Sequence, residues 1–296
     1  MLTTDPATLD FYRKPGVMTS PGRYQELFDG LPSDIGALAK VGHGLLVHEH
    51  IAPAYGITLT DEQRSPVHIR PVERLVERLL TDDDSLLTVP RPPEKRLAGN
   101  CRHFTVLMVT MLRHKGVPAR ARCGFGGYFP TEAYEDHWVC EYWHVADERW
   151  VLIDAQIDEL QRGIFAIDFD VTDVPRDRFL TAGDAWAKCR AGEADPGKFG
   201  LSGLSEFGSW WIAGNLVRDV AALNNLEMLP WDVWGAMPEP DEQIPSDWIA
   251  LYDRLATLTG APEAGFDDLR PLYRSDDRLR VPPTVHNAVL NRNETL

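Results

Sequence analysis

GNCRHFTVLMVTMLRHKGVPAR, residues 99–120, is the most strongly patterned stretch of the chain. Its apolar residues fall at 101, 104, 107, 108, 111 and 112, the i, i+3, i+4, i+7 stripe of a helix buried on one face. Gly99-Asn100 stands at the start, and Arg113, His114 and Lys115 fill the last turn, where positive charge complements the helix dipole. Gly116 suits a left-handed cap, and Val117-Pro118 then ends the helix. The spacing predicts a helix over 101–115. Three stretches of strand character follow at 119–129, 137–143 and 149–155, with His144-Val145-Ala146-Asp147 as a hairpin turn between the last two. Helix, then hairpin-connected strands, is an α+β pattern.

Chemistry concentrates in the same region. Cys101 opens the helix, where unpaired backbone N–H groups and the dipole favour a thiolate. Position alone does not make a nucleophile, because free cysteine is usually a small buried hydrophobe. His137 opens the second strand and Asp154 lies near the end of the third. Pairing Trp143 with Glu148 sets His137 across from Asp154, with both side chains on one face of the sheet. A slip of two residues keeps them diagonal neighbours, and a slip of one separates them. A carboxylate between Ile153 and Ala155 is costly to bury alone and makes sense beside an imidazole. Thiolate, imidazole and carboxylate are together what nucleophilic acyl transfer requires.

These residues carry a family resemblance. Gly99-Asn100-Cys101, the helix to Leu112, His114-Lys115-Gly116-Val117-Pro118-Ala119-Arg120, Asp136-His137-Trp138 and Trp150-Val151-Leu152-Ile153-Asp154 resemble the transglutaminase-like superfamily over residues 96–156. The resemblance implies a papain-like core, a Cys-bearing helix packed on an antiparallel sheet. It also implies Cys101 as nucleophile, His137 as general base and Asp154 as orienting acid. The family's His-Ala-Trp is His137-Trp138-Val139 here, which moves the aromatic. The calcium-binding segments of the animal enzymes have no match, so no metal and no cofactor are implied. Arylamine N-acetyltransferases share the Cys-His-Asp order, but their R-G-G-x-C signature is absent, since Arg96-Leu97-Ala98-Gly99-Asn100 precedes Cys101.

Outward from this core the chain is mostly helical. Ser33-Asp34 is an N-cap for a helix with Ile35, Leu38, Val41, Leu45 and Leu46 on one face. Pro71 opens another carrying Val72, Leu75, Val76, Leu79 and Leu80. Beyond about residue 180 Ser246-Asp247 caps a helix running towards Gly260, and the polar residues 285–296 are expected to fray. The domain expectation is a transglutaminase-like unit over 1–180 with N-terminal helices, a helical C-terminal extension over 181–285, and a polar tail over 286–296.

Other groups carry less. His43, His48 and His50, with His68 nearby, fit no metal-ligand spacing, and a place lining the cleft competes with solvated surface. Gly124-Phe125-Gly126-Gly127 lacks the third glycine and helix of a phosphate loop and marks a twisted strand. Trp210, Trp211, Trp231 and Trp234 are core before they are pocket wall. Arg218-Asp219 is expected to be a charge pair on a helix surface.

Composition bounds the partners. Hydrophobic residues at 44% and charged residues at 25% exclude wholesale disorder. A net charge of −15 repels phosphate backbones and anionic lipid, so neither nucleic acid nor membrane is expected as a partner. The opening Met1-Leu2-Thr3-Thr4-Asp5-Pro6 has no basic or apolar segment of a signal peptide. Four cysteines without a CxxC pair suit a reducing compartment, so a cytoplasmic location is expected. The expected function is cysteine-dependent acyl transfer on a peptide, amide or small acyl substrate, with water or an amine as acceptor. Two other readings stay open: a non-catalytic binding scaffold of the same fold, and an acetyltransferase-like enzyme.

Overall fold

A computed structural model describes residues 5–240 and 242–296; Met1 to Thr4, part of the stretch read for a signal peptide, lie outside them. In chain order the strands are β1 (Leu46–His48), β2 (Leu97–Gly99), β3 (Ala119–Gly126), β4 (Tyr134–His144), β5 (Arg149–Ile153), β6 (Phe179–Thr181), β7 (Phe199–Leu201), β8 (Glu206–Phe207), β9 (Asp232–Val233), β10 (Thr284–Asn287) and β11 (Arg292–Thr295). Helices lie between and around them, so the fold is α+β, as the pattern predicts. The chain divides into two compact units, one of residues 9–121 and 139–174, the other of residues 5–8, 122–138 and 175–296. The division falls inside β3 and β4.

In the first unit the Ile35–Leu45 helix is capped by Asp34, whose carboxylate accepts the Ala37 N–H at 2.8 Å. The Val72–Asp82 helix follows Pro71 and buries Val72, Leu75, Val76 and Leu79, the expected face, while Leu80 stays half-buried. The Cys101–His114 helix runs as predicted, and Gly116 takes the left-handed conformation after it (φ 76°). One expectation fails there. The helix is buried on every side from Cys101 to Arg113, not on one face. Three of its polar side chains find partners inside the unit: Arg102 donates to the Arg70 carbonyl at 2.7 Å, and Thr110 to the Thr19 carbonyl at 3.0 Å. Arg113 donates to the Ala119 carbonyl and to the Thr19 hydroxyl. Hydrogen bonding to main-chain carbonyls is what lets such groups occupy a core.

Arg120 of the Gly-Val-Pro-Ala-Arg motif is also buried. It pairs with Glu141 at 2.6 Å, and its guanidinium lies 3.9 Å from the Trp150 ring centroid. Planar charge stacked on an aromatic face is a use to which arginine is suited and lysine is not. The residue ties the strand after the helix to the β4–β5 hairpin and is structural. That hairpin runs from Cys140↔Ile153 to His144↔Arg149, with Trp143 opposite Trp150. The register is thus two residues from the expected Trp143–Glu148 pairing, because the loop is Val145 to Glu148 and Glu148 takes a positive φ (49°). A slip of two preserves which face each side chain takes. The ladder ends before either His137 or Asp154.

In the second unit the later part of β3 pairs with β6, the first part of β4 with β7, and β7 with β8. Gly124 pairs with Thr181, and a Cβ at Gly124 would come 2.2 Å from the Leu180 carbonyl oxygen, so only glycine allows this approach. The glycine run is therefore a strand feature, as expected. Behind β3 the Ser209–Leu223 helix contributes Asp219, which grips the Arg122 guanidinium with both oxygens (3.1 and 2.9 Å) and accepts the Cys123 N–H at 2.9 Å. This corrects the surface-pair expectation for Arg218-Asp219. Both are buried, and successive helix residues point to different neighbours, so Arg218 bonds Asn215 Oδ1 and the Asp232 carbonyl.

The Ser246–Gly260 helix is present, preceded by Pro245 and without a side-chain cap from Ser246. The polar C-terminus does not fray: β10 and β11 form a hairpin, β10 also pairs with β9, and Asn287 is fully buried. Trp234 is core, while Trp210, Trp211 and Trp231 are half-buried. No helix among the described residues is long and apolar enough to cross a membrane.

Candidate active site

Strands β1 and β2 pair in parallel, from Leu46↔Leu97 to His48↔Gly99, and deliver the chain to Asn100. Asn100 is the N-cap of the Cys101 helix; its Oδ1 accepts the Arg102 N–H at 3.1 Å. His103 folds back over this turn. Its Nδ1 accepts the Asn100 N–H at 3.2 Å, and its Nε2–H donates to the Ile69 carbonyl at 3.0 Å. Burial, reinforced by the neighbouring Arg102 charge, holds the His103 pKa well below the usual imidazole range, so the ring is a neutral Nε2–H tautomer. The arrangement is a capping box with an imidazole in the place usually taken by Glu or Gln. Its signal in the sequence was the Asn100-x-x-His103 spacing, missed because histidine is not the expected partner.

Gly99 explains itself here. A Cβ at this position would stand 2.9 Å from His103 Cβ and 3.2 Å from Cγ, so the ring could not fold over the chain. Gly99→Ala is expected to cost about 1–3 kcal/mol, read as a lowered Tm, because the crowding falls on a fully buried ring. A variant melting with the parent would remove the capping role.

Cys101 therefore sits at the first position of a helix whose start is held by β2, Asn100 and His103. It is 7% exposed, while Cys123 and Cys140 are fully buried. Burial pushes the Cys140 thiol far above the usual range, and burial with a contribution from Asp195 pushes Cys189 up to about 11.

Asp154 lies in the same unit as Cys101, one residue past the end of β5. Its N–H donates to the Val171 carbonyl at 2.8 Å, and its Oδ1 accepts the Gln156 N–H at 3.1 Å. The chain beyond is pinned further: His43 reaches the Ala155 carbonyl, Gln156 donates to Gln161, and Tyr55 donates to Asp158 at 2.7 Å.

His137 belongs to the second unit and sits on β4 among aromatic rings. Phe129 meets it edge-on at 5.0 Å between centroids, Tyr128 at 6.0 Å and Phe179 at 6.5 Å. Beside it in sequence, Asp136 accepts the Trp211 indole N–H at 2.6 Å, and burial raises the carboxyl pKa against the opposing pull of Arg218. Trp211 thus braces the strand that carries His137, a role the sequence did not announce. His48 and His50 lie with ring centroids 5.7 Å apart, and the His50 N–H donates to His48 Nδ1 at 3.3 Å. Among the described residues no three His, Cys, Asp or Glu side chains gather as for a metal ion.

The model of the transglutaminase-like superfamily matches residues 80–155, a span containing Cys101, His137 and Asp154. That segment is a transglutaminase-like core. The likeness is to that stretch of the chain, residues 80–155. The crystal structure of a candidate cysteine protease from Cytophaga hutchinsonii is similar at 14% identity, with a TM-score of 0.34. The likeness covers 61% of this chain and 49% of that one, so the chain spans about half the length of that protein. No curated protein matches the chain.

Proposed function

We propose that the protein is a cysteine-dependent acyl-transfer enzyme working through a thioester at Cys101, with His137 as general base and Asp154 as the acid that orients it. The observation that carries this reading is the placement of Cys101 at the start of a buried, rigidly capped helix inside the matched span. There the backbone N–H groups of the first turn face the position where a thiolate, and then an oxyanion, would form.

The Cys101 thiolate adds to the carbonyl carbon of an amide or related acyl group, and negative charge moves to the carbonyl oxygen. As the tetrahedral adduct collapses, the carbon–nitrogen bond breaks and the His137 imidazolium gives its proton to the leaving amine. The thioester that remains is attacked by water or by a second amine. His137 takes the proton of that nucleophile, and Cys101 leaves as the thiolate, which restores the starting thiolate–imidazolium pair. Water makes the protein an amidase or peptidase; an amine makes it a transamidase.

The test is single-turnover acylation of Cys101 by an activated ester, followed by mass spectrometry. Asp154→Asn keeps size and shape but removes the charge that steadies an imidazolium. A thiolate–imidazolium pair needs less help from the carboxylate than a serine enzyme does, so the expected loss is on the order of 10–10³-fold, with a normal melt. An Asp154→Asn protein acylating at the parent rate would remove Asp154 from the catalytic set.

A further inference from the structure

We propose that His43 is a positioning residue for Asp154: by holding the Ala155 carbonyl it fixes the chain immediately after that carboxylate. The inference rests on the role given to Asp154 above. His43 lies in the last turn of the Ile35–Leu45 helix, and its Nε2 meets the Ala155 oxygen at 3.0 Å across 112 residues of sequence. A carbonyl only accepts, so Nε2 carries the proton. Ala155 is the one residue between Asp154 and Gln156, and each of those is held separately, Asp154 through Val171 and Gln156 through Gln161. The His43 bond therefore closes the remaining freedom of the peptide that follows the carboxylate.

Other features suit the ring to this task. Phe104, one turn along the helix that Cys101 opens, meets it with centroids 6.5 Å apart, so the imidazole is packed as well as hydrogen-bonded. Burial lowers its pKa, Arg96 adds to the lowering, and the charges of Asp158 and Asp154 oppose it. The neutral, donating ring is thus the form present near neutral pH. Tyr55 and Gln161, which face the same segment, are occupied with Asp158 and with each other, and neither takes over the Ala155 carbonyl.

The experiment is a double-mutant cycle read by single-turnover acylation of Cys101 with an activated ester, with a thermal melt for every protein. His43→Ala is expected to lower the acylation rate constant on the order of 10–100-fold with little change in ester affinity, since small misplacements of a catalytic group cost this much. His43→Gln, whose amide N–H can stand where Nε2–H stands, is expected to return to within a few-fold of the parent. His43→Asn, whose donor falls short, is not. This pair decides the matter should His43→Ala fail to fold. In an Asp154→Asn background His43→Ala is expected to cost little more, because its effect passes through that carboxylate. A His43→Ala loss that multiplies in full on Asp154→Asn, or Gln and Asn variants that behave alike, overturns the proposal. Those results leave the Cys101–His137–Asp154 reading standing if Asp154→Asn is itself impaired. An unimpaired Asp154→Asn protein overturns both.

Discussion

Cys101→Ala is expected to abolish acylation, with a loss of at least 10³-fold and no detectable covalent adduct. The size of the effect follows from chemistry: no second nucleophile replaces the sulfur, and removing a nucleophile costs about as much as removing the whole catalytic set. Cys123 and Cys140 are fully buried, and the Cys140 thiol is pushed far up by burial, so neither substitutes. Cys189 is half-buried, with its thiol pushed up to about 11, and reacts slowly near neutral pH. The fold should survive, because alanine removes one sulfur at the first helical position and leaves the Asn100–His103 cap untouched. The measurement is intact-protein mass after exposure to an activated ester, with Cys189→Ala as the control. An adduct that persists in Cys101→Ala and disappears in Cys189→Ala would move the chemistry away from the matched core. A parent protein that never acylates would favour the binding-scaffold reading.

Asp219→Ala is expected to lower stability by about 3–5 kcal/mol, the usual cost of stranding one partner of a buried ion pair. Asp219 is fully buried and takes two hydrogen bonds from Arg122 and a third from the Cys123 backbone. Without it the guanidinium keeps its bond to the Thr259 carbonyl but has lost the carboxylate that neutralised it. At roughly 2–4 °C per kcal/mol for a chain of this size, Tm should fall on the order of 10 °C. Replacing both partners, Arg122→Met with Asp219→Leu, should cost less than Asp219→Ala alone, since no unpaired charge is then left in the core. Thermal melts of the three proteins decide this. An Asp219→Ala protein within 2 °C of its parent would show that the guanidinium finds water or another acceptor.

Much of the core was legible because its signals are local. The helix over Cys101–His114 was marked at both ends, by Asn100 before it and by Gly116-Val117-Pro118 after it, with the apolar spacing between. The β4–β5 hairpin was recoverable too, although its register was misjudged by two residues. Loop length and the positive φ at Glu148 set that register, and neither is visible in the alternation of apolar side chains. The order Cys101, His137, Asp154 came from motif and spacing and coincides with the matched span.

What the sequence determined by itself was therefore what nearest neighbours along the chain decide: where elements start and stop, and which chemistry each carries. What only the tertiary structure decided was which polar groups are buried and whom they meet. Arg102, Thr110 and Arg113 occupy the positions of a solvent face, yet carbonyls from Arg70, Thr19 and Ala119 enclose them. Asp219 resembles half of a surface pair with Arg218, but Arg122, 97 residues away in sequence, claims it. His43 belonged to an unassigned histidine cluster until a carbonyl 112 residues distant gave it a partner. Periodicity states which way a side chain points; only packing decides whether water or another chain segment stands there, and the low dielectric of a buried site makes that difference energetically large.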